Sequence, residues 1–368
     1  MKKLKFLSRI IFYVNILPGI LLLGSYAAPY VNPRFFWPIA FLGLAFPYLL
    51  GANFVFLLYW IFRGKIKFLF PLIIILLGYK SLPNYFQLNL SNPEKIESEF
   101  KVLSFNVRIF DLYMWTKDKT TRKNIFEFLK KEDADIICLQ EFYHSDTIVN
   151  NYEFNTLDSL IRILNTSNYH VEYTTNLRGT DHWGIITLSK YPIVGKGVVH
   201  FQYKSDNACI YTDIKRNKKT VRVYNTHLAS IRLEKHDYKA IQGIYDNKPS
   251  QNFDKELMLI EKIRYGFEGR SSQADSILKS ISESPFPVIL CGDFNDTPSS
   301  YAYRTIRGNL QDAFVQSGSG LGRTYIGKFP SFRIDYILFS DELQSLKFIT
   351  HPEELSDHHP ISARFKFK

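Results

Sequence analysis

Six places in this 368-residue chain set a carboxylate, a carboxamide or an imidazole at the end of an apolar run, and one is Gly292-Asp293-Phe294-Asn295-Asp296, directly after Pro287-Val288-Ile289-Leu290-Cys291. A buried strand that stops at glycine and then offers Asp293 and Asn295, with one apolar residue between, turns both polar groups to the same side of the backbone. Hard cations such as Mg2+ and phosphoryl oxygens both take partners of this kind, and an isolated pair serves a simple turn equally well. The other places are Ser104-Phe105-Asn106, Leu139-Gln140-Glu141, Tyr224-Asn225-Thr226-His227, Arg333-Ile334-Asp335-Tyr336 and Ser356-Asp357-His358-His359-Pro360. Taken singly, Asn106 and Asn225 suit turns, Glu141 a surface charge, His227 a half-buried core histidine, and Asp357-His358 a bend before Pro360. Asp335 resists so plain a reading, because it sits inside the apolar run Ile334 to Phe339 and a carboxylate there needs a partner.

The runs that carry these groups, Val102 to Phe105, Ile136 to Leu139, Val221 to Tyr224, Val288 to Cys291 and Ile334 to Phe339, read as strands. So do Val171 to Tyr173, Ile185 to Leu188, Ile210 to Ile214 and Ile361 to Phe367, while helical patterns cover Arg122 to Lys131, Asp158 to Leu164 and Gln273 to Ile281. That many strands exceeds what one open sheet with crossover helices requires, so two sheets packed face to face, with helices outside, are expected. Cys138, Cys209 and Cys291 each lie inside a strand-like run, the usual setting of buried free thiols, and no spacing suits a disulfide framework or a zinc site.

Composition divides the chain near position 90. Residues 1–90 hold nine Lys or Arg and no Asp or Glu, which leaves 37 basic against 35 acidic residues beyond. The near-neutral remainder gives no support to binding nucleic acid through a basic surface. The basic residues flank apolar stretches at about 10–28, 36–62 and 68–86, each near the ~20 residues that cross a bilayer, so about three membrane-spanning helices are expected over residues 1–90. A polar linker over 91–100 leads to a large domain over 101–368. A cleavable leader is the competing account of the first stretch, given Lys2, Lys3 and Lys5 before it and Ala27-Ala28 after it; two apolar stretches would survive cleavage. Lys2, Lys3, Lys5 and Arg9 precede the first span and Arg63, Lys65 and Lys67 follow the second, which predicts a cytoplasmic amino terminus. Three crossings then set the large domain on the extracytoplasmic, periplasmic side of the inner cell membrane. Loss of one span reverses that face.

The six groups occur in an order that resembles the endonuclease/exonuclease/phosphatase superfamily, whose members include deoxyribonuclease-like nucleases, sphingomyelinases and inositol polyphosphate 5-phosphatases. The resemblance runs from Lys101 to Lys368. It rests on Phe105-Asn106, Gln140-Glu141, Gly184-Ile185 through Ser189-Lys190-Tyr191-Pro192, Asn225-Thr226-His227-Leu228, Gly292-Asp293-Phe294-Asn295, Arg333-Ile334-Asp335-Tyr336 and Ser356-Asp357-His358. It implies a four-layer α-β-β-α sandwich with these groups at one edge, and Mg2+- or Mn2+-dependent cleavage of a phosphoester.

The residue types suit that chemistry. Glu141, with Asp357 or Asn106, offers hard oxygen ligands to a Mg2+ that would neutralise charge on the phosphoryl group. His358 is the expected general base toward water, with Asp335 accepting its other ring N–H, and Asp293 orients or helps deprotonate the water. Asn295, Asn225 and His227 are expected at the phosphate oxygens, with Arg323 as a further phosphate contact. His227 stands where abasic-site endonucleases of the superfamily carry Tyr, and Arg108 follows Asn106 where that group has an acidic residue, so the DNA-repair branch is the poorer comparison. A lipid or small-molecule phosphoesterase beside its own membrane and an extracytoplasmic nuclease remain, with a catalytically silent membrane-anchored binding protein as the contrasting class. Tyr113, Trp115, His182-Trp183, Tyr325 and Phe329 are aromatic candidates for stacking on a base or meeting lipid. The glycine-rich Ser317 to Arg323 stretch reads either as a mobile substrate loop or as a connector.

Overall fold

A computed structural model describes residues 2–89, 91, 93–94, 96–149, 152–202, 206–231, 253–327 and 332–368. Phe329 lies outside the described residues. The chain forms two compact units. One comprises Asn84–Ala229, Ser272–Asn295 and Ile306–Lys368; the other comprises Met1–Pro83, Ser230–Ser271 and Asp296–Thr305.

The first unit holds two six-stranded sheets. We number its strands β1 (Phe100–Asn106), β2 (Ile136–Ser145), β3 (Asn168–Leu177), β4 (Asp181–Ser189), β5 (Ile193–Val198), β6 (Ala208–Arg216), β7 (Lys219–His227), β8 (Val288–Asp293), β9 (Gln311–Asp312), β10 (Asp335–Phe339), β11 (Leu343–Thr350) and β12 (Ile361–Phe367). Their orders are β11-β12-β1-β2-β4-β3 and β9-β10-β8-β7-β6-β5. Only β1 with β2 and β7 with β8 pair in parallel, among the described residues.

Alternation along each strand assigns side chains to layers. Val102, Ile136 and Cys138 from one sheet meet Val223, Ile289, Cys291 and Ile337 from the other in the central core. The intervening Leu103, Phe105, Ile137 and Leu139 face outward onto Ile125, Phe128 and Leu129 of helix Thr121–Glu132 and Leu160 of helix Thr156–Leu164. On the far side, Tyr224 donates its hydroxyl to Ser280 O at 2.9 Å, in helix Phe253–Ser282. The unit is thus a four-layer sandwich, α-β-β-α. β5 and β11 carry no clear apolar signature and went unforeseen: β5 is Ile-Val-Gly-Lys-Gly-Val, and the exposed side of β11 is polar. The glycine-rich stretch is pinned rather than loose, since Ser319–Gly320 pairs with Gln87–Leu88.

In the second unit, helices Lys2–Ala27 and Pro38–Phe62 are long and apolar enough to cross a membrane, and only 17% and 22% of their most apolar windows are buried. A core helix of a water-soluble domain would bury most of such a surface. The third expected span is corrected: residues 68–86 yield only the nine-residue helix Leu69–Leu77, ended by Gly78 and followed by a 3-10 turn through Pro83. Polar groups join these helices. Trp60 Nε1 donates to Asn15 Oδ1 at 3.1 Å, Asn53 Nδ2 to Pro18 O at 3.0 Å, and the Tyr26 hydroxyl to Ile74 O at 3.0 Å. Two segments distant in sequence belong to this unit as well. Phe267 meets Phe41 edge to face at 5.2 Å, Arg264 lies over Trp37, Arg304 lies over Tyr30 at 4.2 Å, and the buried Arg270 binds Asp296 at 2.9 Å.

Candidate active site

Register brings the expected groups together. Asp293 at the end of β8 stands opposite His227 of β7 on one side and Asp335 of β10 on the other. Gly292 is required there: its φ is +151°, and a Cβ would lie 2.0 Å from Thr226 O, so only glycine lets β7 and β8 approach at this point. In the other sheet β1 and β2 bring Asn106 beside Gln140. A bulge then interrupts β2 against β4 between Leu139 and Phe142, and Glu141 adopts a left-handed conformation, φ 51°. The bulge re-aims its side chain.

Asn106 bridges the sheets, donating Nδ2 to Glu141 Oε1 at 3.1 Å and to Asp293 Oδ2 at 3.0 Å. His227 Nε2 lies 3.8 Å from Glu141 Oε1 and 3.7 Å from Asp293 Oδ2, buried and without a hydrogen-bond partner. His358 Nε2 points at the same Asp293 oxygen from 3.7 Å, while its Nδ1 meets Asp335 Oδ2 at 2.9 Å. The main chain fixes the rest. Asn295 N–H donates to Asp293 Oδ1 at 2.8 Å, Asp335 N–H to Thr324 Oγ1 at 3.1 Å, and His358 N–H to Ser356 Oγ at 3.3 Å.

Burial acts first on both titrating groups of this cluster. It raises the Asp293 carboxyl, an effect that Asp335 reinforces and His358 and His227 oppose, and the result stays above the usual carboxylate range. For His358 burial would lower the value, but the charges of Asp335 and Asp293 outweigh it and carry the imidazole well above its ordinary range.

Five of the expected residues are placed otherwise than expected. Asn225 is fully buried between the sheets, where its Nδ2 donates to Leu139 O and Ile186 O and its Oδ1 accepts from Gln140 Nε2 at 2.7 Å. An amide so committed joins sheets and does not reach a phosphate. Asn106 turns its N–H groups, not its oxygen, toward the carboxylates, since Oδ1 accepts the Arg108 N–H at 3.0 Å. Asp357 faces Arg108, Nε to Oδ2 3.3 Å. Arg323 is exposed, outside the hydrogen-bonded cluster, and Asn295 Nδ2 donates to Leu228 O at 3.0 Å. The arginine beside Asp357 and the hydroxyl of Thr324 under Asp335 were not foreseen; nothing in a sequence marks a hydroxyl for its neighbour across a fold.

Asp293, Asp335 and His358 bring one ligand atom each to within 4.8 Å of one another, close enough to hold a cation. Asp335 is already engaged by the His358 ring, so this trio suits proton handling better than coordination. Glu141, with 34% of its side chain exposed, and Asp293 are the hard oxygens flanking Asn106, and their donor type fits Mg2+ or Mn2+.

Comparison with known proteins gives concordant results. Residues 103–358 match the model of the endonuclease/exonuclease/phosphatase family, and residues 8–85 match that of a domain of unknown function, DUF8431. No curated protein matches the chain in sequence. Among solved structures, an endonuclease/exonuclease/phosphatase from Bacteroides vulgatus superposes with TM-score 0.54 and 19% identity, over 74% of this chain and 100% of that one. The human Nocturnin catalytic domain with bound sulfate gives 0.53 and 18%, over 76% and 96%. A counterpart from Beutenbergia cavernae gives 0.52 and 16%, over 74% and 72%.

Proposed function

Because the chain belongs to the endonuclease/exonuclease/phosphatase family, whose members hydrolyse phosphoester bonds with divalent metals, we propose that it is a membrane-anchored, Mg2+- or Mn2+-dependent phosphoesterase that cleaves a phosphodiester by in-line attack of an activated water. One observation carries the reading: the His358 imidazole is held at Nδ1 by Asp335 and aims Nε2 into a cluster that also contains Asp293 and His227.

Glu141 and Asp293 would hold the ion, which when bound neutralises charge on the phosphoryl group and the leaving oxygen. The protein's own groups do the remainder. Asp335 fixes the tautomer of His358, leaving Nε2 to take a proton from water. Asp293, one wall of the cluster, orients that water. His227, with its unpartnered Nε2, supplies a hydrogen bond to a phosphoryl oxygen as charge develops there. A monoester fits the same chemistry. Assay of the full chain in detergent, with Mg2+ or Mn2+, against phospholipid, DNA, RNA and a phosphomonoester tests the proposal. Turnover of phospholipid is expected. Cleavage of DNA or RNA alone would favour a nuclease, and turnover of nothing would leave only a binding role.

The proposed site of action is the extracytoplasmic face of the inner membrane. With two long helices, counting spans alone would set the domain on the other face; support for this proposal comes instead from the arrangement of the apolar unit. Arg9, Arg63, Lys65 and Lys67 belong to one end of its helices, and Lys67 Nζ donates to Ser8 O at 2.9 Å. Arg264, Phe267 and Arg304 pack instead on Trp37, Phe41 and Tyr30, at the opposite end, toward which the short third helix also returns through Tyr26. Basic ends stay in the cytoplasm. A fusion partner that folds only outside the cytoplasm, joined after Lys368, should be active; activity confined to a cytoplasmic reporter would reverse the orientation.

A further inference from the structure

The arginine two residues beyond Asn106 has no role in the chemistry above, and its surroundings are unusual. Arg108, Ile109, Phe110 and Asp111 have φ values of 45°, 46°, 53° and 58°, four consecutive non-glycine residues in the left-handed region. L-residues avoid that conformation, and a run of it persists only where neighbours over-determine it. Here they do. Val107 N–H donates to Gln140 O at 3.0 Å, Phe110 packs on Phe126 and Phe142, and Asp111 Oδ1 accepts the Thr116 N–H at 3.3 Å.

The effect is to hold one side chain. The Arg108 guanidinium lies 4.4 Å over the Trp115 ring, with Tyr113 packed edge-on against Trp115, and its Nε sits 3.3 Å from Asp357 Oδ2. A third of the side chain, 32%, remains exposed. Its terminal nitrogens have no hydrogen-bond acceptor among the described residues. We propose that Arg108 is a substrate-binding residue, whose terminal N–H groups take the non-bridging oxygens of the substrate's phosphate while Trp115 and Asp357 fix the plane of the fork. The cluster beside it is rich in carboxylates, so a phosphate entering it benefits from a permanent cation. A guanidinium suits the task because it presents paired donors in one plane and stacks on an indole, which an ammonium does not do. This role rests on the phosphoesterase reading only for its kinetic consequence.

Inorganic phosphate is the probe. Calorimetric titration of the full chain, with Mg2+ present, should show about tenfold weaker phosphate binding in Arg108→Ala, the scale of one charge-assisted contact pair. Arg108→Lys should recover only part of the loss, and Trp115→Leu should lose a few-fold. In turnover of bis(4-nitrophenyl) phosphate the Arg108→Ala loss should fall on KM and leave the Mg2+ concentration for half activation in place. Equal phosphate affinity in wild type and Arg108→Ala overturns the proposal. So does a loss confined to kcat with a shifted Mg2+ requirement, which would make Arg108 a positioning residue for Asp357. Should the wild type bind phosphate yet turn over no ester, the enzymatic reading fails and this one stands.

Discussion

Asp335 Oδ2 and His358 Nδ1 lie 2.9 Å apart, a contact between the first residue of β10 and the turn that precedes β12. Replacing Asp335 by Asn removes the charge that orients the ring. We expect kcat on a phosphodiester to fall by roughly 10^2- to 10^4-fold, with His358→Ala at least as severe, while circular dichroism stays that of the wild type. Near-native kcat in either variant would remove this pair from the chemistry.

Glu141→Gln keeps the shape of the bulged residue and discards its charge. Activity should drop and the remainder should demand more Mg2+, and chelation of divalent ions should abolish wild-type turnover reversibly. Titrating activity against metal for both proteins checks this; identical metal curves would take Glu141 out of the ion site.

Asn225 provides the contrasting case. Asn225→Ala removes the hydrogen bonds that Leu139 O, Ile186 O and the Gln140 amide make with it inside the sandwich, at about 1–3 kcal/mol for each group left unpaired. A lowered melting temperature with unchanged phosphate affinity is expected. Weaker phosphate binding in a protein of normal stability would return Asn225 to the substrate.

Much of this was legible beforehand, for identifiable reasons. β1, β2, β8 and β10 are buried on both faces and so read as continuous apolar runs, each with a polar side chain at one edge of the run that stands out against it. What a sequence hides is direction. Asn106 and Asn225 both follow apolar runs, yet one faces two carboxylates and the other two main-chain carbonyls, a difference made by sheet packing alone. The third apolar stretch misled because hydropathy does not register how early Gly78 and the turn after it stop a helix.

Gly292→Ala tests the close approach of β7 and β8. A methyl group would collide with Thr226 O, and alanine disfavours the backbone angle, so we expect destabilisation of about 2 kcal/mol or more together with lost activity, because Asp293 is the next residue. Denaturant unfolding in detergent reads the first effect and turnover the second. A stable, active variant would mean that the strands can separate without cost.

His170 gives stability a pH dependence. Burial lowers its value to about 4, with Lys196 contributing in the same direction, and its Nδ1 lies 3.0 Å from Thr212 Oγ1. The unfolded chain takes up this proton near pH 6.5 and the folded one only near 4, so stability holds above 6.5 and declines as pH falls between those values. Unfolding curves at pH 7 and pH 5 should differ more for wild type than for His170→Gln. Equal differences would assign the acid sensitivity elsewhere.

The described residues of 230–271, and residues 296–305, belong to the unit of the amino-terminal helices, and the second of these segments starts at the residue after Asn295. Excision at the polar linker therefore does not separate one whole unit from the other. It cuts the backbone once but removes the packing of both stretches, uncovering Phe267 where Phe41 had covered it. The two compact units are interleaved along the chain, so a truncated form is expected to aggregate, and any biochemical study should begin from the intact polypeptide.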